Sequence, residues 1–248
     1  MESSAVSVRP KPPRPVLLGV LLLLGSTVLG VTIAVLAHPD PLGPDASWMR
    51  WFVEHRGGTA TSLAKGISML GGTAAMTLLA SVAYAVSLWR RQWETAIFIA
   101  ITGLGAAALV YFGKLLIARP RPPLADRLVV QTNHSYPSGH ALGSIVVVGM
   151  VALLAAALLH GVWRALLLTV AALFVAGVGV SRVYLGVHWP TDVFAGWVFG
   201  ILWLSVCFTF RPVLAARSRA VLGRGAPAGA GRSGAPQREG DIVAAESE

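Results

Sequence analysis

Two short segments of the 248-residue sequence gather residue types that handle phosphate. The first starts at Lys114, passes Arg119 and Arg121 with their prolines, and ends at Pro137-Ser138-Gly139-His140. The second holds Ser181-Arg182, then after five residues His188, and four positions beyond it Asp192. A guanidinium is a planar fork matched to phosphate oxygens and an ammonium is a point charge, so Lys114, Arg121 and Arg182 are candidates to neutralise a phosphoryl group. Ser138 and the amides around Gly139 add neutral donors at the start of an apolar run, where a helix N-terminus favours an anion. Gly139 lets the backbone approach closely. A phosphate ester is the substrate chemistry that such a set suits.

Two histidines remain, and ester cleavage has two roles to fill, a nucleophile and a proton donor. Pro190 is suited to opening a helix, which lets the Asp192 carboxylate reach back to one nitrogen of His188 and leaves the other free for attack. His140 then protonates the leaving alkoxide. Read as metal ligands instead, His140, His188 and Asp192 lack a helical ligand pair, and the arginines stand where a cation would sit. Lys114, Arg119 and Arg121 each also fit a plainer role as bilayer anchors, a reading that the second cluster weakens. His38, His55, His134 and His160 lack such companions and read as loop or interface residues. Cys207, the single cysteine, reads as packing. Ser135, in the loop before Ser138, is expected to be reachable from water.

What must position these residues follows from composition. Hydrophobic residues make up 55% and charged residues 12%, with a mean hydropathy of +0.68. So few charges cannot cover a water-soluble domain, and a disordered chain needs the opposite balance. The net charge of +9 is spread between apolar runs and forms no single basic face, so nucleic acid is not the partner it points to. Runs of about 20 apolar residues suit a bilayer core. Six are expected, at Pro15 to Ala37, Ile67 to Trp89, Thr95 to Gly113, Ala141 to His160, Ala165 to Ser181 and Asp192 to Phe210. The fold class is therefore an all-α bundle of six transmembrane helices over residues 15–210, with a cytoplasmic segment at 1–14 and a disordered cytoplasmic tail at 211–248. The first outer loop is expected to carry a helix lying at the interface, with Trp48, Trp51 and Phe52 in the headgroup layer. Gly196-x3-Gly200 reads as packing inside the bundle. With both termini inside, twelve of the twenty Lys and Arg fall on the cytoplasmic side, which faces the site outward.

The three stretches K-x6-RP at Lys114 to Pro122, PSGH at Pro137 to His140 and SR-x5-H-x3-D at Ser181 to Asp192 resemble the signature motifs of the type 2 phosphatidic acid phosphatase superfamily, which includes the vanadium haloperoxidases and glucose-6-phosphatase. All eleven fixed positions match, in order. The resemblance implies His188 as the nucleophile forming a phosphohistidine, Asp192 as its orienting partner and His140 as the general acid. It also implies phosphate binding by Lys114, Arg121, Ser138, Gly139 and Arg182, with no metal and no cofactor. The expected protein is an integral, multi-pass phosphatase of the cell membrane. Its partners would be the bilayer and a lipid phosphate: phosphatidate, phosphatidylglycerol phosphate or polyprenyl diphosphate. A vanadate-dependent haloperoxidase and a non-catalytic lipid transporter or scaffold are the other readings. The first is disfavoured by the six spans, the second by a complete set of catalytic motif residues.

Overall fold

A segment crossing hydrocarbon must satisfy every backbone N–H and C=O within itself, so long apolar runs fold as helices. The structure, a computed structural model, describes residues 15–38 and 41–223. Among these residues there are helices and one short 3-10 turn but no strand. The helices are α1 (Pro15–Ala37), α2 (Gly43–Glu54), α3 (Gly58–Leu70), α4 (Thr73–Trp89), α5 (Trp93–Ile117), α6 (Gly139–Ala156), α7 (Gly161–Tyr184) and α8 (Pro190–Gly223). Five are long and apolar enough to cross a membrane, and the pair α3 and α4, bent at its junction, brings the number to six if counted as one span. The chain is thus a multi-pass membrane protein with the expected all-α architecture.

The segment expected as the second span departs from a single straight helix. Ile67 to Trp89 reads as one apolar run, but the helix axis bends by 41° between α3 and α4, and α3 reaches back to Gly58. The break falls at Gly71-Gly72, where two glycines in a row weaken a continuous helix. A Cβ at Gly71 would lie 2.4 Å from a Val178 methyl, so this glycine lets the turn press against α7. The bend allows α3 to pack on α7 while α4 packs on α5 and α6.

Helix α6 runs through the middle of the bundle, touching α4, α5, α7 and α8, whereas α1 packs on α8 and buries only Val35. The approach of α8 to α6 depends on small residues. A Cβ on Gly196 would meet the Ser138 carbonyl at 2.8 Å, and one on Gly200 would meet the Ile145 Cγ2 at 1.9 Å. These glycines therefore serve packing inside the bundle.

Two further expectations need correction. Helix α8 does not end at Phe210 but continues through Pro212 to Gly223, so residues 211–223 are helical rather than part of a disordered tail. The expected N-terminal segment at 1–14 and the rest of the tail, 224–248, lie outside the described residues. Helix α2 is the helix expected in the first loop. Its Asp45 and Met49 are buried while Trp48 and Trp51 are exposed. Phe52, expected beside those tryptophans, instead turns inward, 6.0 Å from the Tyr184 ring.

Antiparallel succession brings the C-terminal ends of α5 and α7 to the same end of the bundle as the N-terminal ends of α6 and α8. The loop from α5 to α6 folds over this end. Ala118, in the left-handed region at φ 47°, terminates α5, and Pro120 follows. Farther along, the Tyr136 hydroxyl bonds Thr32 of α1 at 2.8 Å, and the Ser135 amide donates to the Arg119 carbonyl at 2.9 Å. Ser135, expected to be reachable from water, is consequently buried.

Candidate active site

The site is assembled from four helix ends. Lys114 lies in the last turn of α5 and Arg121 in the loop beyond it. Ser138 is the N-cap of α6, its oxygen accepting from the Ala141 amide at 3.5 Å, which sets Gly139 and His140 in the first turn. Arg182 ends α7. His188 sits in the short turn before α8, and Asp192 occupies that helix's first turn. Asp192 reaches back to the Trp189 amide at 2.9 Å, a capping contact that fixes the turn and the imidazole on it.

Lys114, Arg121, Gly139, His140 and His188 line one cavity of about 640 Å3. From this polar end the cavity extends between α4, α5 and α6 along Met76, Ala80, Gly103, Leu104 and Ala107. Ser138, Arg182 and Asp192 are buried and do not line it. The expected residues are therefore gathered at one place although they come from segments far apart in sequence.

Hydrogen bonds define the state of His188. Its Nε2 lies 3.2 Å from Arg121 Nη1, which can only donate, so Nε2 carries a lone pair. Its Nδ1 faces Ser135 Oγ at 3.4 Å and the Asp192 carboxylate at 3.5 Å. The imidazole is 1% exposed, and burial pushes its pKa down to about 3, with Arg121 and Arg182 adding to the effect and Asp192 opposing it. The ring is neutral at physiological pH. An unfolded His titrates near about 6.5. Below that pH the unfolded chain binds a proton that the folded imidazole refuses, so stability should fall as pH drops from about 6.5 toward 3. Thermal midpoints measured across that window should decline less steeply for His188→Gln than for the unaltered protein. Parallel declines would mean that His188 charges freely in the fold.

The cations divide into two groups. Arg121 donates to the Asn133 side chain at 2.6 Å and to backbone carbonyls of Asn133, His134 and Val187, while Lys114 donates to the His134 carbonyl. Only the main chain of His134 takes part in the site; its side chain is exposed. Arg182 differs. It is 2% exposed, and Nη1 donates to Ser68 Oγ at 2.6 Å, yet Nε and Nη2 have no hydrogen-bond partner. Buried unpaired donors on a charged group are costly, and an anion is what they would accept. His140 is half-buried beside the α3–α4 break, its Nε2 3.5 Å from where a Cβ on Gly72 would stand.

Sequence reasoning missed part of the machinery. Arg119, taken as a bilayer anchor, is buried and donates to Asp192 Oδ1 at 2.6 Å and to Asp45 Oδ2 at 2.8 Å. Burial works against its charge, but Asp192 and Asp45 together hold its pKa above the ordinary value. Ser135 donates to Asp192 Oδ2 at 2.5 Å. The spacing of Arg119 from Arg121 in an RPRP run hinted at two directions of projection, but nothing near Asp45 marked it as a partner. Among the described residues no three His, Cys, Asp or Glu side chains gather as a metal ion would need.

A helical bundle long and apolar enough to cross the membrane, with two histidines, a carboxylate and several cations gathered at one end, defines a class of multi-pass membrane protein with a candidate anion site. Residues 94–215 match the PAP2 superfamily. The chain is 38% identical over 123 residues to an undecaprenyl-diphosphatase of Sulfolobus acidocaldarius, covering 48% of this chain and 55% of that one. It is 30% identical over 140 residues to phosphatidylglycerophosphatase B of Bacillus subtilis, covering 55% of this chain and 68% of the relative. The crystal structure of the first transmembrane PAP2 type phosphatidylglycerolphosphate phosphatase from Bacillus subtilis superposes with a TM-score of 0.67 at 25% identity, over 78% of this chain and 96% of that chain. The chain belongs to the PAP2 superfamily.

Proposed function

We propose that the protein is an integral membrane phosphatase that hydrolyses a lipid phosphate monoester or diphosphate through a phosphohistidine. The observation that carries this reading is the gathering of His188, His140, Lys114 and Arg121 on one cavity, with Arg182 buried next to it and carrying two nitrogens without a partner. A terminal phosphoryl group supplies the oxygens those donors lack. His188 Nε2 attacks phosphorus as the bond to the lipid oxygen breaks, and His140 gives that oxygen its proton. Water then attacks the phosphohistidine with His140 taking up a proton, and inorganic phosphate leaves. Asp192 supports the imidazolium that forms, and the cations bear the charge of the transferring group. The apolar walls between α4, α5 and α6 accept the chain of the substrate.

The relatives act, by their names, on undecaprenyl diphosphate, phosphatidylglycerophosphate and decaprenylphosphoryl-5-phosphoribose. Phosphate release should therefore be measured on purified protein in detergent with a polyprenyl diphosphate, phosphatidylglycerol phosphate and phosphatidate. At least one should turn over, with loss on His188→Ala. Failure on all three would remove the lipid phosphatase reading.

The excess of Lys and Arg on the opposite side supports a site that faces away from the cytoplasm, with both termini inside. Ser135 is unsuitable as a reporter because it is buried, whereas Val130 in the same loop is 87% exposed. In a Cys207→Ala background, Val130→Cys should react with a membrane-impermeant maleimide on intact cells, and Ala228→Cys only after permeabilisation. The reverse pattern would turn the site toward cytoplasmic lipids.

A further inference from the structure

Asp192 is held by more than its histidine. One oxygen, Oδ1, takes an Arg119 N–H at 2.6 Å, and the other takes the Ser135 hydroxyl at 2.5 Å and the Trp189 amide at 2.9 Å. Arg119 is fixed in turn by Asp45 of α2, 74 residues earlier in the sequence, at 2.8 Å. Thr191 closes the figure. Its hydroxyl accepts from Arg119 at 2.7 Å and donates to Asp45 at 2.7 Å, and its amide donates to the other Asp45 oxygen at 2.9 Å. Asp45 and Asp192 are both fully buried and Arg119 nearly so. Neither Asp45, Arg119 nor Thr191 is a fixed position of the three sequence motifs.

We propose that Asp45, Arg119 and Thr191 are positioning residues for the reaction, acting through Asp192 to fix the tautomer and angle of His188. The proposal rests on the phosphatase reading above. A single guanidinium spanning two carboxylates leaves each with one preferred orientation, and the Asp192 oxygen that remains beside His188 is set by where Arg119 pulls the other. The first outer loop thereby reaches the nucleophile although it contributes no group to the reacting atoms. A buried ion pair that merely staples α2 to the bundle would show the same distances, so the discriminating measurement is coupling, not loss.

Turnover of the lipid phosphate found in the panel should be measured for Asp45→Asn, Thr191→Val and Arg119→Lys, alone and combined with Asp192→Asn. Each single change should lower kcat about tenfold with KM within about twofold, because a slightly misaligned nucleophile loses rate rather than binding. In the Asp192→Asn background the same changes should cost less than about twofold. A full tenfold loss in that background, or a rise in KM at constant kcat, would overturn the proposal. Thr191→Val keeps charge and volume and carries the comparison if Asp45→Asn does not fold. Nitrogen-15 shifts of His188, assigned by difference from His188→Gln, give a reading that needs no residual activity. The Nδ1-protonated form should dominate in the unaltered protein and lose share in Thr191→Val, and an unchanged tautomer ratio would equally overturn the proposal. His188→Ala in the same assay separates the two levels. Retained turnover there sinks the active site itself, whereas a dead His188→Ala with additive losses elsewhere sinks only the positioning role.

Discussion

Purified His188→Ala protein should release no measurable phosphate, a loss of at least about 10⁴-fold, because an alanine offers no atom for phosphorus to bond. The expectation follows from an imidazole that is buried and neutral, lines the cavity and keeps its lone pair at Nε2 beside Arg121. Asp192→Asn should be milder, on the order of 10² to 10⁴-fold, since Nε2 survives but the ring loses the carboxylate that stabilises its charged form. A phosphoenzyme trapped by acid-free quench should be labile to acid and stable to base, as a phosphoramidate is. Substantial turnover by His188→Ala, with host phosphatases excluded, would reassign the nucleophile.

His140→Asn should split substrates by their leaving groups. An alkoxide leaving a lipid phosphate needs a proton, and removing the donor should slow that step by about 10² to 10⁴-fold. A nitrophenolate leaves unaided, so the burst of nitrophenol from an aryl phosphate should survive with little change, while later turnovers stall for want of a base to activate water. Equal losses in the burst for both substrates would mean that His140 binds phosphate rather than moving a proton. The structure places the residue at the cavity. It sits in the first turn of α6, half-buried at the polar end of the cavity, beside the α3–α4 break.

Much of this site was legible because its chemistry is local in sequence. His188 and Asp192 share one turn, and Ser138, Gly139 and His140 open one helix, so spacing alone predicts which groups can face each other. The apolar runs were equally plain, since backbone hydrogen bonding in hydrocarbon leaves little choice but a helix. Arg119 was misread because an arginine after an apolar helix ordinarily snorkels toward water, and only tertiary structure places Asp45 where it captures that guanidinium. Ser135 failed for a related reason: the loop is pulled inward by Tyr136 packing on α1, a contact with no local signature. Hydropathy also passed over Gly71-Gly72, because a broken helix and a straight one have the same composition; the clue lay in the methyls of Val178 on another helix.

The apolar cavity has a consequence for how this protein meets its substrate. Its walls include Leu104 and Tyr111, which are 73% and 64% exposed on the flank of the bundle rather than at its aqueous end. If the lipid phosphate of the proposed reaction enters past those residues, it travels in two dimensions, within a leaflet, and its activity is a surface density. Rates in mixed micelles should then follow the mole fraction of lipid phosphate and fall when inert detergent is added at constant bulk concentration. Below saturation, a given proportional rise in the surface density of substrate would raise the rate as much as the same proportional rise in the amount of protein, which makes lipid crowding itself the throttle.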